Sequence, residues 1–139
     1  MSTSPHSKLQ IPRPLYDEML AQAVAELPNE CCGLLAGRGS RVTHRYPLTN
    51  ALASPVRYES DPQAMFAAFK DMRIEGTEVL AIYHSHPTSD PVPSRTDLER
   101  NYYGPEVVHI IISLKQGARA LRTWHLEPDA YREAAWEIV

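Results

Sequence analysis

The sequence predicts an α/β domain, a mixed β-sheet flanked by helices. Three observations carry that expectation. The chain has 139 residues, a length that suits one domain. Segments with helical apolar spacing alternate with short, strongly apolar segments of strand character. Glycines and prolines, 6 and 12 in number, punctuate most of the junctions between them.

In order, residues 1–10 are largely polar and read as a flexible N-terminus, leaving 11–139 as a single domain. From Pro14, the positions Leu15, Met19, Ala23, Val24 and Leu27 recur as on one helix face until Pro28 stops the pattern. Cys31-Cys32-Gly33-Leu34-Leu35-Ala36 is short, apolar and closed by Gly37 and Gly39, as a buried strand is, and a second strand runs from Arg41 to about Pro47. Asp61-Pro62 joins a capping residue to a proline at the first helical position. Met65, Phe66, Phe69 and Met72 then give that helix one apolar face, and Gly76 ends it. Glu78 to Tyr83 predicts a strand leading directly into His84 and His86, and Val107 to Leu114 predicts another. Both are apolar enough to be covered on two faces. Between them, Ser94 opens a Ser-x-x-Asp start for a polar helix of about two turns from Arg95 towards Tyr103, closed by Gly104-Pro105. Arg119 to Leu126 alternates as a strand. For Asp129 to Val139, Ala134, Trp136 and Ile138 suit a strand, whereas Tyr131, Ala134, Ala135 and Ile138 suit a helix; the strand is preferred.

A formal net charge of -3, a pI near 6.0 and the lack of a dense Lys/Arg stripe argue against nucleic acid or an acidic membrane as partner. No segment approaches the roughly 20 apolar residues of a membrane span, and the first residues lack the apolar core of a signal peptide. The two cysteines, Cys31 and Cys32, are neighbours, and a disulfide between them would strain the backbone, so reduced thiols and a cytoplasmic location are expected. A chain of this length buries roughly two-thirds of its unfolded surface, so its fold needs no metal staple. Any metal it binds can serve chemistry.

His84-Ser85-His86 followed by Asp97 offers such a site. Residues two apart on a strand face the same way, so both imidazoles can project together from a strand end, and the Ser94 cap turns Asp97 back towards them. Three protein ligands leave a fourth zinc position open for water or substrate, as catalytic sites do. Such chemistry also needs a proton carrier. Glu30 is the candidate, because it lies just before a buried strand beside Cys31-Cys32-Gly33, where small residues permit close approach. The alternatives are plain ones: histidines satisfied at a strand end, an Asp that suits the helix dipole, and an exposed Glu in a turn.

The set Glu30, His84-Ser85-His86-Pro87, Ser94 and Asp97 resembles the signature of the JAMM/MPN+ zinc metallopeptidases. The likeness extends through Pro28 to Gly37, through Thr49-Asn50-Ala51 with Ser54-Pro55 and Tyr58, and through Pro93 to Asp97. It covers roughly residues 11 to 126 and points to the short bacterial branch that includes CysO-cysteine peptidases. The resemblance implies an MPN/JAMM domain with a cytidine deaminase-like fold. It implies one Zn2+ per chain on His84, His86 and Asp97, with Glu30 as general base and proton shuttle and Ser94 as donor to the oxyanion. The implied substrate is the C-terminal amide of a small ubiquitin-like or sulfur-carrier (ThiS/MoaD/CysO-type) protein. A homo-oligomer is compatible with it.

Ser94 can also serve only as a cap. Asn50 and Tyr58 line the substrate groove by family likeness; the local alternatives are a turn Asn and a core or rim Tyr. Cys31 and Cys32 read as packing residues, and His109 and His125 as structural members of strands. The competing function is a non-catalytic MPN-type binding scaffold, although such relatives have usually lost the ligands. Zinc deamination on the related fold expects His-x-Glu and a later Pro-Cys-x-x-Cys, which this sequence lacks.

Overall fold

The computed structural model describes residues 8–101 and 103–139. In chain order the elements are β1 (Leu9–Ile11), α1 (Arg13–Ala25), β2 (Cys32–Arg38), β3 (Arg41–Leu48), α2 (Pro62–Glu75), β4 (Glu78–His86), α3 (Arg95–Glu99), β5 (Val108–Ser113), β6 (Leu121–Glu127), β7 (Ala130–Glu133) and β8 (Trp136–Ile138). Among the described residues, no helix is long and apolar enough to cross a membrane.

Local signals explain most of these boundaries. The Asp61 carboxylate accepts from the Ala64 N–H at 2.9 Å and starts α2, and Gly76 in a left-handed conformation closes it. Ser94 caps α3 in the same manner. Three expectations need correction. Residues 1–7 of the expected flexible N-terminus lie outside the described residues, but Leu9 and Gln10 belong to β1, where Leu9 is buried. The helix expected to run from Arg95 towards Tyr103 ends at Glu99, because its short polar sequence has no buried residue to extend it. The ambiguous C-terminal segment forms two strands rather than one.

All eight strands join one sheet in the order β7-β6-β5-β4-β2-β3-β1-β8. Pairing is parallel for β4 with β5 and for β1 with both β3 and β8, and antiparallel elsewhere. The two edge strands are consecutive in sequence, separated by Ala134 and Ala135 alone. A span that short can be bridged only if the sheet curls until its edges meet. Ala134 N–H donates to the Thr123 carbonyl at 2.8 Å on the β6 side, and Leu9 N–H donates to the Ala135 carbonyl at 3.1 Å on the β1 side.

The curl separates two large cores, beside a smaller cluster of Ile111, Trp124 and Leu126. Its inner face packs Met19 and Ala23 of α1 against Ile11, Leu35, Tyr83 and Ile110. On the outer face, Ala68 and Met72 of α2 cover Cys32, Leu34, Leu48 and Ile82. Phe66, which helical spacing puts on the apolar face of α2, is instead 73% exposed.

Gly33 pairs with Tyr83 across β2 and β4, and the buried tyrosine ring lies over it. A Cβ at Gly33 would stand 2.2 Å from that ring. The ring cannot swing away easily, since the Tyr83 hydroxyl donates to Gln22 Oε1 and accepts from Arg45 Nη1. Gly33→Ala is therefore expected to cost about 3 kcal/mol, the upper range for overpacking. Denaturant unfolding measures it; a change within about 0.5 kcal/mol, as for an ordinary surface substitution, would show the close approach to be relaxed at no cost.

Candidate active site

The pairing of β2 with β4 assembles the site. Cys32 lies opposite His84, so the chain two residues upstream brings Glu30 alongside His86. All four side chains share the α2 face of the sheet. Ser85 points the other way, where its Oγ accepts from the Cys31 N–H at 2.8 Å while its own N–H donates to the Cys31 carbonyl at 3.1 Å. That exchange locks the end of β4 to the entrance of β2.

The two imidazoles are buried and their Nε2 atoms stand 3.2 Å apart. Asp97 Oδ1 lies 3.3 Å from His84 Nε2, and Oδ2 lies 3.6 Å from His86 Nε2. A donor atom from each of the three residues falls within 4.8 Å of the others. His86 Nδ1 is 2.8 Å from the Asp90 carbonyl. Since a carbonyl only accepts, Nδ1 carries hydrogen, and whenever the ring is neutral its Nε2 lone pair faces the centre. The Tyr58 ring stacks on His84 with centroids 4.7 Å apart, fixing that imidazole from the other side. Two ring nitrogens and a carboxylate facing one another need a proton or a cation among them. A buried N2O donor set with one imidazole oriented by a backbone carbonyl fits a borderline divalent cation.

Asp97 owes its position to a reciprocal cap. Ser94 Oγ accepts from the Asp97 N–H at 3.1 Å, and Asp97 Oδ2 accepts from the Ser94 N–H at 2.8 Å. Burial opposes ionisation of Asp97, but His84, His86 and that N–H outweigh it and hold the carboxyl well below its usual range. Accepting one bond leaves the exposed Ser94 hydroxyl its proton for a further contact.

Glu30 is 5% exposed, in place of the exposed turn residue that its local sequence allows. Burial pushes its carboxyl up to about 7; His84 and His86 pull the other way, and Asp97 adds to the rise. Cys31 and Cys32 are buried thiols pushed up to about 11 and about 12 by burial, which suits packing and not nucleophilic attack. His109 is buried, its Nε2 is 3.1 Å from Asn101 Oδ1, and burial lowers its pKa to about 4. His125 is only half-buried on β6, and its Nδ1 has no partner among the described residues.

Glu30 and Asp97 open into a cleft of about 470 Å3 whose walls also include Tyr58, Ser94 and His109. Asn50 does not line it. Its Nδ2 donates to the Glu30 and Arg57 carbonyls at 3.0 and 2.9 Å, and its Oδ1 accepts from the Leu52 and Glu59 N–H groups. Of its two expected roles, the structural one is what the geometry supports. The cleft also holds residues that no site motif in the sequence marks: Arg57, Met65, Phe69, Arg100 and Tyr103. Met65 and Phe69 carried a signal, their apolar helix face, but spacing alone cannot tell a core face from a cleft wall.

Residues 12–127 match the family described as prokaryotic homologs of the JAB domain. The chain belongs to this family. Within the prokaryotic JAB family it is similar to the desampylase of Haloferax volcanii, 36% identical over 134 residues, 91% of this chain and 94% of that protein. It is also similar to the CysO-cysteine peptidase of Mycobacterium tuberculosis, 32% identical over 128 residues, 90% and 87% of the two chains. The solution structure of protein DSY2949 from Desulfitobacterium hafniense superposes with a TM-score of 0.82 at 34% identity, covering 94% of this chain and 92% of that one.

The raised Glu30 pKa has a consequence for stability. The folded state keeps the proton to about pH 7 whereas the unfolded chain releases it near 4.5, so this group destabilises the fold increasingly as pH rises between those values. In metal-free protein, Glu30→Gln is expected to gain roughly 2–3 kcal/mol relative to wild type between pH 4 and pH 8. Chemical denaturation at both pH values reads the difference, and a pH-independent gap between the two proteins contradicts the shift.

Proposed function

We propose that this protein is a zinc-dependent metallopeptidase of JAMM type that hydrolyses an amide bond at the C-terminus of a small ubiquitin-like or sulfur-carrier protein. The observation that carries the reading is Glu30, a buried carboxyl that lines the same cleft as Asp97, the carboxylate that converges with His84 and His86. Similarity to a desampylase and to a CysO-cysteine peptidase supports the substrate class.

His84, His86 and Asp97 would hold the metal. When bound, zinc supplies Lewis acidity and makes water acidic enough to yield a nucleophile near neutral pH. Glu30 accepts the proton of the attacking water and delivers it to the amide nitrogen as the C–N bond breaks. The water oxygen ends in the new carboxylate and the amine leaves neutral or protonated. A carboxyl whose pKa burial brings near 7 suits both halves of that transfer. Ser94 Oγ directs its remaining proton to the oxyanion while Asp97 keeps the helix start in place. Tyr58 orients His84 and walls the substrate groove.

A scaffold without activity has no use for a buried carboxyl beside three metal-type ligands, since desolvating it costs stability.

Elemental analysis of purified protein is expected to find about one zinc per chain, lost in His86→Ala and in Asp97→Ala. A stoichiometric metal retained by both variants would sink the ligand assignment. Glu30→Gln is expected to keep zinc yet lower hydrolysis of a C-terminally extended sulfur-carrier protein by about 10²- to 10⁴-fold, the scale of general acid–base catalysis. Undiminished turnover removes Glu30 from the mechanism.

A further inference from the structure

The hydrolase reading leaves the two arginines of the cleft without a role. Arg100 lies 3.8 Å from Glu59, which balances its charge. Arg57 is exposed, lines the cleft and, among the described residues, has no ion-pair partner. Its side chain is solvated but its backbone is held. Asn50 Nδ2 donates to the Arg57 carbonyl at 2.9 Å, and Asn50 Oδ1 accepts from the Glu59 N–H at 3.1 Å. The Ala51 N–H donates to the Glu59 carbonyl at 2.8 Å, closing the loop on itself. The next residue, Tyr58, stacks on His84 at 4.7 Å. Consecutive Cα atoms are about 3.8 Å apart, so a permanent cation is tethered one residue from the ring that packs on His84, a proposed metal ligand. A guanidinium fork there is matched to a carboxylate.

We propose that Arg57 binds the free α-carboxylate of the leaving amino acid, making this enzyme selective for removal of a single C-terminal residue from a carrier protein. The inference rests on the hydrolase reading and adds to it a leaving-group subsite. In a C-terminal residue the carboxylate sits on the carbon next to the scissile nitrogen, within reach of a cation on the cleft wall. In an isopeptide conjugate the leaving lysine belongs to a protein chain and offers no such group at that place.

The test uses a ThiS-type sulfur-carrier protein extended by one alanine, prepared as the C-terminal free acid and as the primary amide. Zinc-loaded wild type is expected to favour the acid by about tenfold to hundredfold in kcat/KM, the range of a hydrogen bond to a charged group. Arg57→Gln is expected to lose that preference mainly through a higher KM for the acid, and Arg57→Lys to restore part of it. Equal rates on the two forms by wild type overturn the subsite and leave the hydrolase reading standing. An equal loss on both forms in Arg57→Gln also overturns it, since the arginine would then serve the carrier's body. Calorimetry on Glu30→Gln protein separates the two readings. If wild type cleaves neither form, but Glu30→Gln binds the acid more tightly than the amide and Arg57→Gln in that background abolishes the difference, hydrolysis fails and the carboxylate subsite stands. Equal binding of the two forms removes the subsite.

Discussion

The antiparallel pairing of β2 with β4 is the contact on which the rest of the molecule depends. It aligns Cys32 with His84 and so brings Glu30 beside His86. It also sets Gly33 beneath the Tyr83 ring, which ties the strand pair to α1 through Gln22. A slip of one residue would turn every side chain of one strand to the opposite face. Glu30 would then enter the inner core, and Cys31 would face the cleft. The double hydrogen bond between Cys31 and Ser85 resists that slip at the strand end where the site lies.

Asp97 shows how stability and chemistry share one group. As the third residue of α3 it completes a capping box, an interaction typically worth about 1 kcal/mol. The same carboxylate faces His84 and His86. A helix of five residues has little internal stability. The cap and the approach to the histidines therefore support one another, and α3 holds its place through its first turn rather than its length.

The segment between β3 and α2 has no helix or strand of its own, yet it is ordered by one side chain. Asn50 spends its amide on five backbone groups from Glu30 to Glu59, in addition to an isolated bridge with Ser60. Its burial costs little because both ends of the amide are satisfied. This clamp carries Tyr58 onto His84 and presents Arg57 to the cleft, so a residue remote from the proposed chemistry shapes its wall. Met65 and Phe69 complete that wall, an apolar side suited to the extended tail of a protein substrate.

By itself the sequence determined what is local. Helical spacing in α1, the Asp61-Pro62 start of α2, the apolar runs of β2, β4 and β5, and the Ser94 cap act over a few residues, and each is visible without knowing what lies opposite. The approach of His84, His86 and Asp97 was legible for the same reason, since they fall within one strand, one loop and one helix start. Tertiary structure alone decided what depends on partners distant in sequence. Leu9–Ile11 is a strand only because β3 and β8 flank it, and the last residues split into two strands because the curled sheet offers them opposite edges. Glu30 is a buried acid and not a turn residue because β4 lies beside it, and Asn50 is a clamp because Glu30, Arg57 and Glu59 converge on it. Propensity and spacing specify which faces are apolar; burial and charge environment arise only when those faces meet.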